Sequence, residues 1–140
     1  MDHKADHKAE VLKERTKKFA LRIIRVIRSL PPGSEGRIIG HQLLRSCISV
    51  AANYRAVCRA RSRAEFLAKL SIVIEEADES AFWLELLVDA GLISESKLKD
   101  LKSEANQLVA IFNASRMTAR KSSQSTISNQ KSTIPRKIAS

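Results

Sequence analysis

Helix-breaking residues are confined to very few places in this chain, and that decides most of what it can fold into. Prolines occur only at positions 31, 32 and 135, and the four glycines stand at 33, 36, 40 and 91. Three glycines thus fall at or beside Pro31-Pro32, and the stretches between breaks are long and free of interruption. From about Glu10 to Leu30, Leu12, Phe19, Ile23, Ile27 and Leu30 recur at helical spacing, and Pro31-Pro32-Gly33 ends the run. From about Gly36 to Arg59, Leu43, Cys47, Val50, Tyr54 and Val57 alternate spacings of four and three, a heptad-like seam.

Ser62-Arg63-Ala64-Glu65 has the capping-box pattern, in which a hydroxyl and a carboxylate each satisfy a backbone N–H at a helix start. The helix it opens has one apolar line through Phe66, Leu70, Val73, Ala77, Ser80, Leu84 and Leu87. A second line follows Leu67, Ile74, Ala81 and Val88. One stripe suffices for a bundle core, so two imply burial on two sides, within the chain or against another copy. Gly91 followed by Leu92 reads as a left-handed C-terminal cap. A fourth helix follows from about Ser94 to Arg120, burying Leu98, Leu101, Ala105, Leu108 and Phe112.

Short connections make neighbouring helices antiparallel, so the expected fold is all-α: an up-down-up-down four-helix bundle over residues 10–121. Residues 1–9 read as a flexible N-terminus. Residues 122–140 read as a disordered, basic, Ser/Thr-rich tail without acidic residues or apolar period. A chain of 140 residues has room for one domain and core. Cys47 and Cys58 lie on one helix face about 16 Å apart by helical rise. That is beyond disulfide reach, so they read as reduced core residues.

Charge is unevenly distributed. The net charge is +10: residues 10–30 and 31–63 carry +5 each, 64–90 carry −6 and 116–140 carry +6. Such a balance favours an anionic partner, RNA or DNA before a membrane. On the first helix Arg15, Lys18, Arg22 and Arg25 form a cationic strip about 15 Å long, read either as a solvated flank or as a phosphate-tracking surface. The second helix and the turn after it carry only arginines: Arg37, Arg45, Arg55, Arg59, Arg61 and Arg63. Acidic residues of the third helix, Glu75, Glu76, Asp78, Glu79, Glu85 and Asp89, could engage several of them. Arg59, Arg61 and Arg63, at the turn, are the ones expected to stay available. Arg116, Arg120, Lys121, Lys131, Arg136 and Lys137 complete the candidate nucleic-acid-binding set.

The residues argue against an enzyme and against a metal or other cofactor. No Asp or Glu precedes a His by three, as di-iron bundles require. His3 and His7 make an HxxxH spacing without the glutamate of a zincin. His41 is the one other histidine, so no His-activated nucleophile is readily assembled. GSEGRIIG lacks the Lys-Ser/Thr ending of a phosphate loop. No stretch approaches a membrane span and MDHKADHKAE has no hydrophobic signal region, so a cytoplasmic protein is expected.

The LP break, I-G-x-Q-L-L-R-S, A-N-Y-R, A-R-S-x-x-E-F and E-x-x-x-S-x-x-W-L-E-L-L lie within residues 12–115. As a set they resemble the bacterial four-helix bundle protein family. That family includes proteins encoded within intervening sequences of large-subunit ribosomal RNA genes, and it is related to the accessory variability proteins of diversity-generating retroelements. The resemblance implies a homopentamer and, on the retroelement side, a reverse transcriptase and its template RNA as partners. Gln42, Arg45, Asn53, Tyr54, Arg55, Glu65, Glu76, Glu79 and Trp83 then look structural, with Gln42 and Asn53 satisfying polar groups between helices. Two function classes remain: an electrostatic nucleic-acid-binding accessory, and a structural or protein-interaction bundle without a nucleic-acid role.

Overall fold

The computed structural model describes residues 3–133, with side chains through 122. It contains four helices: α1 His3–Arg28, α2 Ser34–Cys58, α3 Arg63–Asp89 and α4 Glu95–Thr133. They form an up-down-up-down bundle in which α2 packs on α1 and α3, α3 also packs on α4, and α1 meets α4 along a thin seam.

Local chemistry sets the breaks. At the end of α1, the Ser29 and Leu30 N–H groups bond back to Val26 and Ile27 carbonyls at 3.0 and 3.2 Å, and the prolines prevent continuation. Gly40 lies in the α1–α2 contact, where a Cβ would come within 3.3 Å of Leu30 Cδ1. Ser62 Oγ accepts from the Glu65 N–H at 3.0 Å. The reciprocal arm of this box reaches one residue further back than the motif predicts: Glu65 Oε2 accepts from the Arg61 N–H at 3.1 Å. Gly91 has φ +73°, while its N–H bonds to Val88 O and the Leu92 N–H to Leu87 O. These two bonds are a Schellman closure of α3.

Two helices are longer than their apolar lines indicate. α1 starts at His3 rather than Glu10, because DHKADHKA contains no breaker and places Asp6 in the first turn, where a carboxylate complements the helix dipole. α4 continues past Arg120 to Thr133, since extending a formed helix needs no apolar period and the next breaker is Pro135. Residues 134–140, with Arg136 and Lys137, lie outside the described residues, as does the side chain of Lys131.

Phe19, Ile23, Leu43, Val50, Leu70, Val73, Leu84, Leu98, Leu108 and Phe112 form the centre of the core. The first apolar line of α3 is buried except for Phe66, which is half-buried at the bundle end. Most of the second line is taken up within the chain: Ile74 is buried, Ala81 and Val88 pack against the core, and Leu67 is half-buried. It lies opposite the Glu76 face that meets α2, hence toward α4. Among the described residues three polar side chains are fully enclosed, and each bonds a carbonyl one turn back. Thr16 Oγ1 donates to Lys13 O, Ser46 Oγ to Leu43 O and Ser80 Oγ to Glu76 O, with Ser80 Oγ also 2.8 Å from Ser46 Oγ. Both cysteines are free. Burial pushes the Cys47 thiol up to about 12. Cys58 is half-buried rather than a full core residue.

Candidate nucleic-acid interface

Antiparallel packing redistributes the charge that the sequence sorts by helix. The half-bundle holding the α2–α3 turn comprises residues 3–15, 50–70 and 108–122; it carries twelve basic and four acidic residues. The half made of residues 16–49 and 71–107 carries ten of each. The acidic stretch of α3 runs from Glu75 to Asp89, so it lies beside the start of α2 and, across the bundle, at the level of the basic second half of α1. The end of the bundle around Arg61 is left with an unneutralised positive field.

The predicted cations separate accordingly. Arg15 is engaged within the chain. Its Nε donates to Glu104 Oε2 at 3.2 Å and its Nη2 to Glu104 Oε1 at 2.5 Å, with Gln107 Oε1 at 3.3 Å, forming a clasp across the thin α1–α4 seam. The other strip residues, Lys18, Arg22 and Arg25, make no ion pair among the described residues, and Lys18 and Arg25 are exposed. They climb the flank away from the basic end, so the strip is a separate surface. Arg116 is half-buried and donates to Asn113 Oδ1 at 2.9 Å and to Ser71 Oγ at 3.5 Å, fixing α4 to α3.

Arg59, Arg61, Arg63, Arg120 and Lys121 are all exposed at the basic end. Arg63 is anchored there by a bond from Nη1 to Ala119 O at 3.3 Å, which brings the α2–α3 turn against α4. Lys8 of α1 belongs to the same end and was not among the residues predicted from sequence. Its only signal is positional, because α1 and α2 are antiparallel and Lys8 therefore reaches the level of Cys58.

The arginine-rich second helix divides as well. Arg45 joins α3 through Glu76 Oε2 at 3.2 Å and Glu79 Oε1 at 2.6 Å, and Trp83 Nε1 donates to the same Glu79 oxygen at 3.2 Å. The Arg45 hydrogen bond holds the Glu79 carboxyl below its ordinary range, whereas burial raises that of Glu76. Arg37, Arg55 and Arg59 form no ion pair among the described residues. Gln42 and Asn53 do not bridge helices as expected. Gln42 Oε1 accepts from Arg45 Nε, and Asn53 Nδ2 donates to the carbonyl and hydroxyl of Ser49, all within α2.

No group of three or more His, Cys, Asp or Glu converges on a possible metal position among the described residues. No described helix is long and apolar enough to cross a membrane.

The family described as 23S rRNA-intervening sequence protein matches residues 8–114. The chain belongs to that family. A crystal structure from Bacteroides thetaiotaomicron VPI-5482, described as a protein of unknown function from the S23 ribosomal protein family, is similar to this 23S rRNA-intervening sequence protein family member. It shares 30% identity and a TM-score of 0.70, covering 75% of this chain and 97% of that one. No curated protein matches. The family match ends before Arg116, so Arg120 and Lys121 extend the basic end beyond the family's common part.

Proposed function

We propose that this family member is a non-enzymatic, cofactor-free, cytoplasmic accessory protein that binds RNA or DNA by electrostatics, with a reverse transcriptase as its protein partner. The supporting observation is the +8 balance of one half-bundle against the neutral balance of the other, with Arg59, Arg61, Arg63, Arg120 and Lys121 exposed on the charged end. Phosphates neutralised there release counterions, and contacts of this kind carry no base information. The reverse transcriptase partner rests on resemblance to the retroelement accessory proteins.

Oligomerisation, as a homopentamer, belongs to the same proposal. Ile38 and Ile48 on α2 and Ile72 and Phe82 on α3, the two helices that Arg45 joins, are exposed large apolar residues. Exposed large apolar side chains on adjoining helices are a common mark of a protein interface. Repeating a weak phosphate site around a ring raises affinity through effective concentration.

The decisive experiment is RNA affinity across a salt series for three variants: R59Q/R61Q/R63Q, K18Q/R22Q/R25Q, and deletion of residues 122–140. Loss of affinity and a shallower salt slope in the first variant are expected. Unchanged affinity and slope in all three would exclude the reading and favour the structural-module class. Light scattering that finds a 15.6 kDa species would exclude the oligomer.

A further inference from the structure

The core line of α4 changes character after Phe112: the next positions in the same register are Ser115, Ala119 and Ser122. On α1 the line before Leu12 continues as Ala9 and Ala5. Residues too small to meet across the axis leave the basic end of the bundle open, as a mouth of about 890 Å³ between all four helices. Leu12, Tyr54, Val57 and Phe66 make its apolar floor and wall. Tyr54 is held in place by Phe112, ring centroids 5.2 Å apart. Three cations from different parts of the chain stand on its rim: Lys8 of α1, Arg61 of the turn and Arg63 of α3, the last braced on Ala119 O.

We infer that this mouth is a binding site for an unpaired nucleotide, the base entering between the helices and its phosphate resting on Lys8, Arg61 and Arg63. The inference rests on the nucleic-acid reading above and adds to it a preference for single-stranded ends or loops. A volume of this size is in the range of small-ligand sites. Its lining is mixed: the hydroxyls of Ser62, Ser115 and Thr118 and the Cys58 thiol stand among the apolar groups. Ser62 Oγ accepts from the Glu65 N–H and Thr118 Oγ1 donates to Ala114 O, so both are satisfied within the chain yet keep further accepting capacity, which the donor edge of a heterocycle can use and an acyl chain cannot. A base stacked in a duplex cannot enter a concave site, whereas one already unpaired enters without unstacking cost.

The test compares two 5′-phosphorylated RNA hairpins with the same number of phosphates, one blunt and one with a three-nucleotide 3′ overhang, by fluorescence anisotropy at low salt. The overhang is expected to bind about tenfold more tightly, the order of one stacked base. Ala9→Leu and Ser115→Leu, made separately, fill the mouth while keeping every cation. Each should bring the ratio to about one without changing blunt-hairpin affinity. A 2-aminopurine in the overhang reads the site without any variant, because insertion shields it from acrylamide quenching. Equal binding of both hairpins by the wild-type protein, or full quenching of the bound 2-aminopurine, would overturn the site and leave the electrostatic reading intact. Failure to bind either hairpin would overturn both.

Discussion

Replacing Arg15 by alanine tests the reassignment of that residue from a phosphate contact to a structural clasp. The guanidinium makes two N–H···O bonds to one carboxylate, and the two side chains keep 30% and 18% of their exposure. Fully exposed ion pairs contribute about 0.2–1 kcal/mol, whereas charge-assisted bidentate pairs are roughly twice as strong as neutral hydrogen bonds. A half-covered pair should therefore show a coupling of about 1–2 kcal/mol. Position matters too, because the α1–α4 seam is thin and the open mouth lies just below it. The assay is a double-mutant cycle of Arg15→Ala and Glu104→Ala by urea denaturation at fixed protein concentration. A total loss near 1.5 kcal/mol for Arg15→Ala corresponds to about 5 °C in Tm for a domain of this size. Hydrogen exchange should rise in the first half of α1. A coupling below about 0.5 kcal/mol would refute the clasp and return Arg15 to the set of available cations.

Further expectations follow from the enclosed groups and the caps. Ser46→Ala and Ser80→Ala should each cost under about 1 kcal/mol, because the remaining hydroxyl keeps its backbone carbonyl; a loss of 2 kcal/mol or more in denaturant melts would show that the pair itself holds α2 to α3. Gly91→Ala should destabilise by about 1 kcal/mol although a Cβ there meets nothing within 4 Å, since the cost is purely that of φ +73°; Gly91→Asn should recover part of it. The Cys47 thiol, at about 12 in the fold against an ordinary 9.0, contributes stability that is complete below pH 9 and declines as pH rises toward 12, by up to about 1.4 kcal/mol per unit. Comparing urea midpoints at pH 8 and 10.5 should therefore show a smaller fall in Cys47→Ala than in the wild type, and an equal fall in the two would contradict this assignment.

The helix count, the three breaks and the inward faces were legible in the sequence because each depends on short-range chemistry. Pro31-Pro32, the Ser62 cap and Gly91 act within one turn, and lines such as Leu43 to Val57 need only the period of a helix. Membership of the family was legible for the same reason, through motifs that are local runs. That α1 reaches back to His3 and α4 on to Thr133 was less so, because apolar spacing marks where a helix packs, whereas a formed helix extends through any stretch without a breaker.

What tertiary structure decided was which charges meet. Arg15 and Glu104 are far apart in the chain, as are Arg45 and Glu76, and they pair because antiparallel helices of these lengths bring them to the same level. The same antiparallel levelling sets the acidic stretch of α3 beside the start of α2 and leaves the half-bundle around Arg61 at +8. The mouth has the same origin. Ala5, Ala9, Ser115 and Ala119 are unremarkable along their own helices, and they open a cavity because the small-residue lines of α1 and α4 meet at one end. Helical periodicity is a property of each segment alone, whereas the coincidence of two segments at one height belongs to the fold.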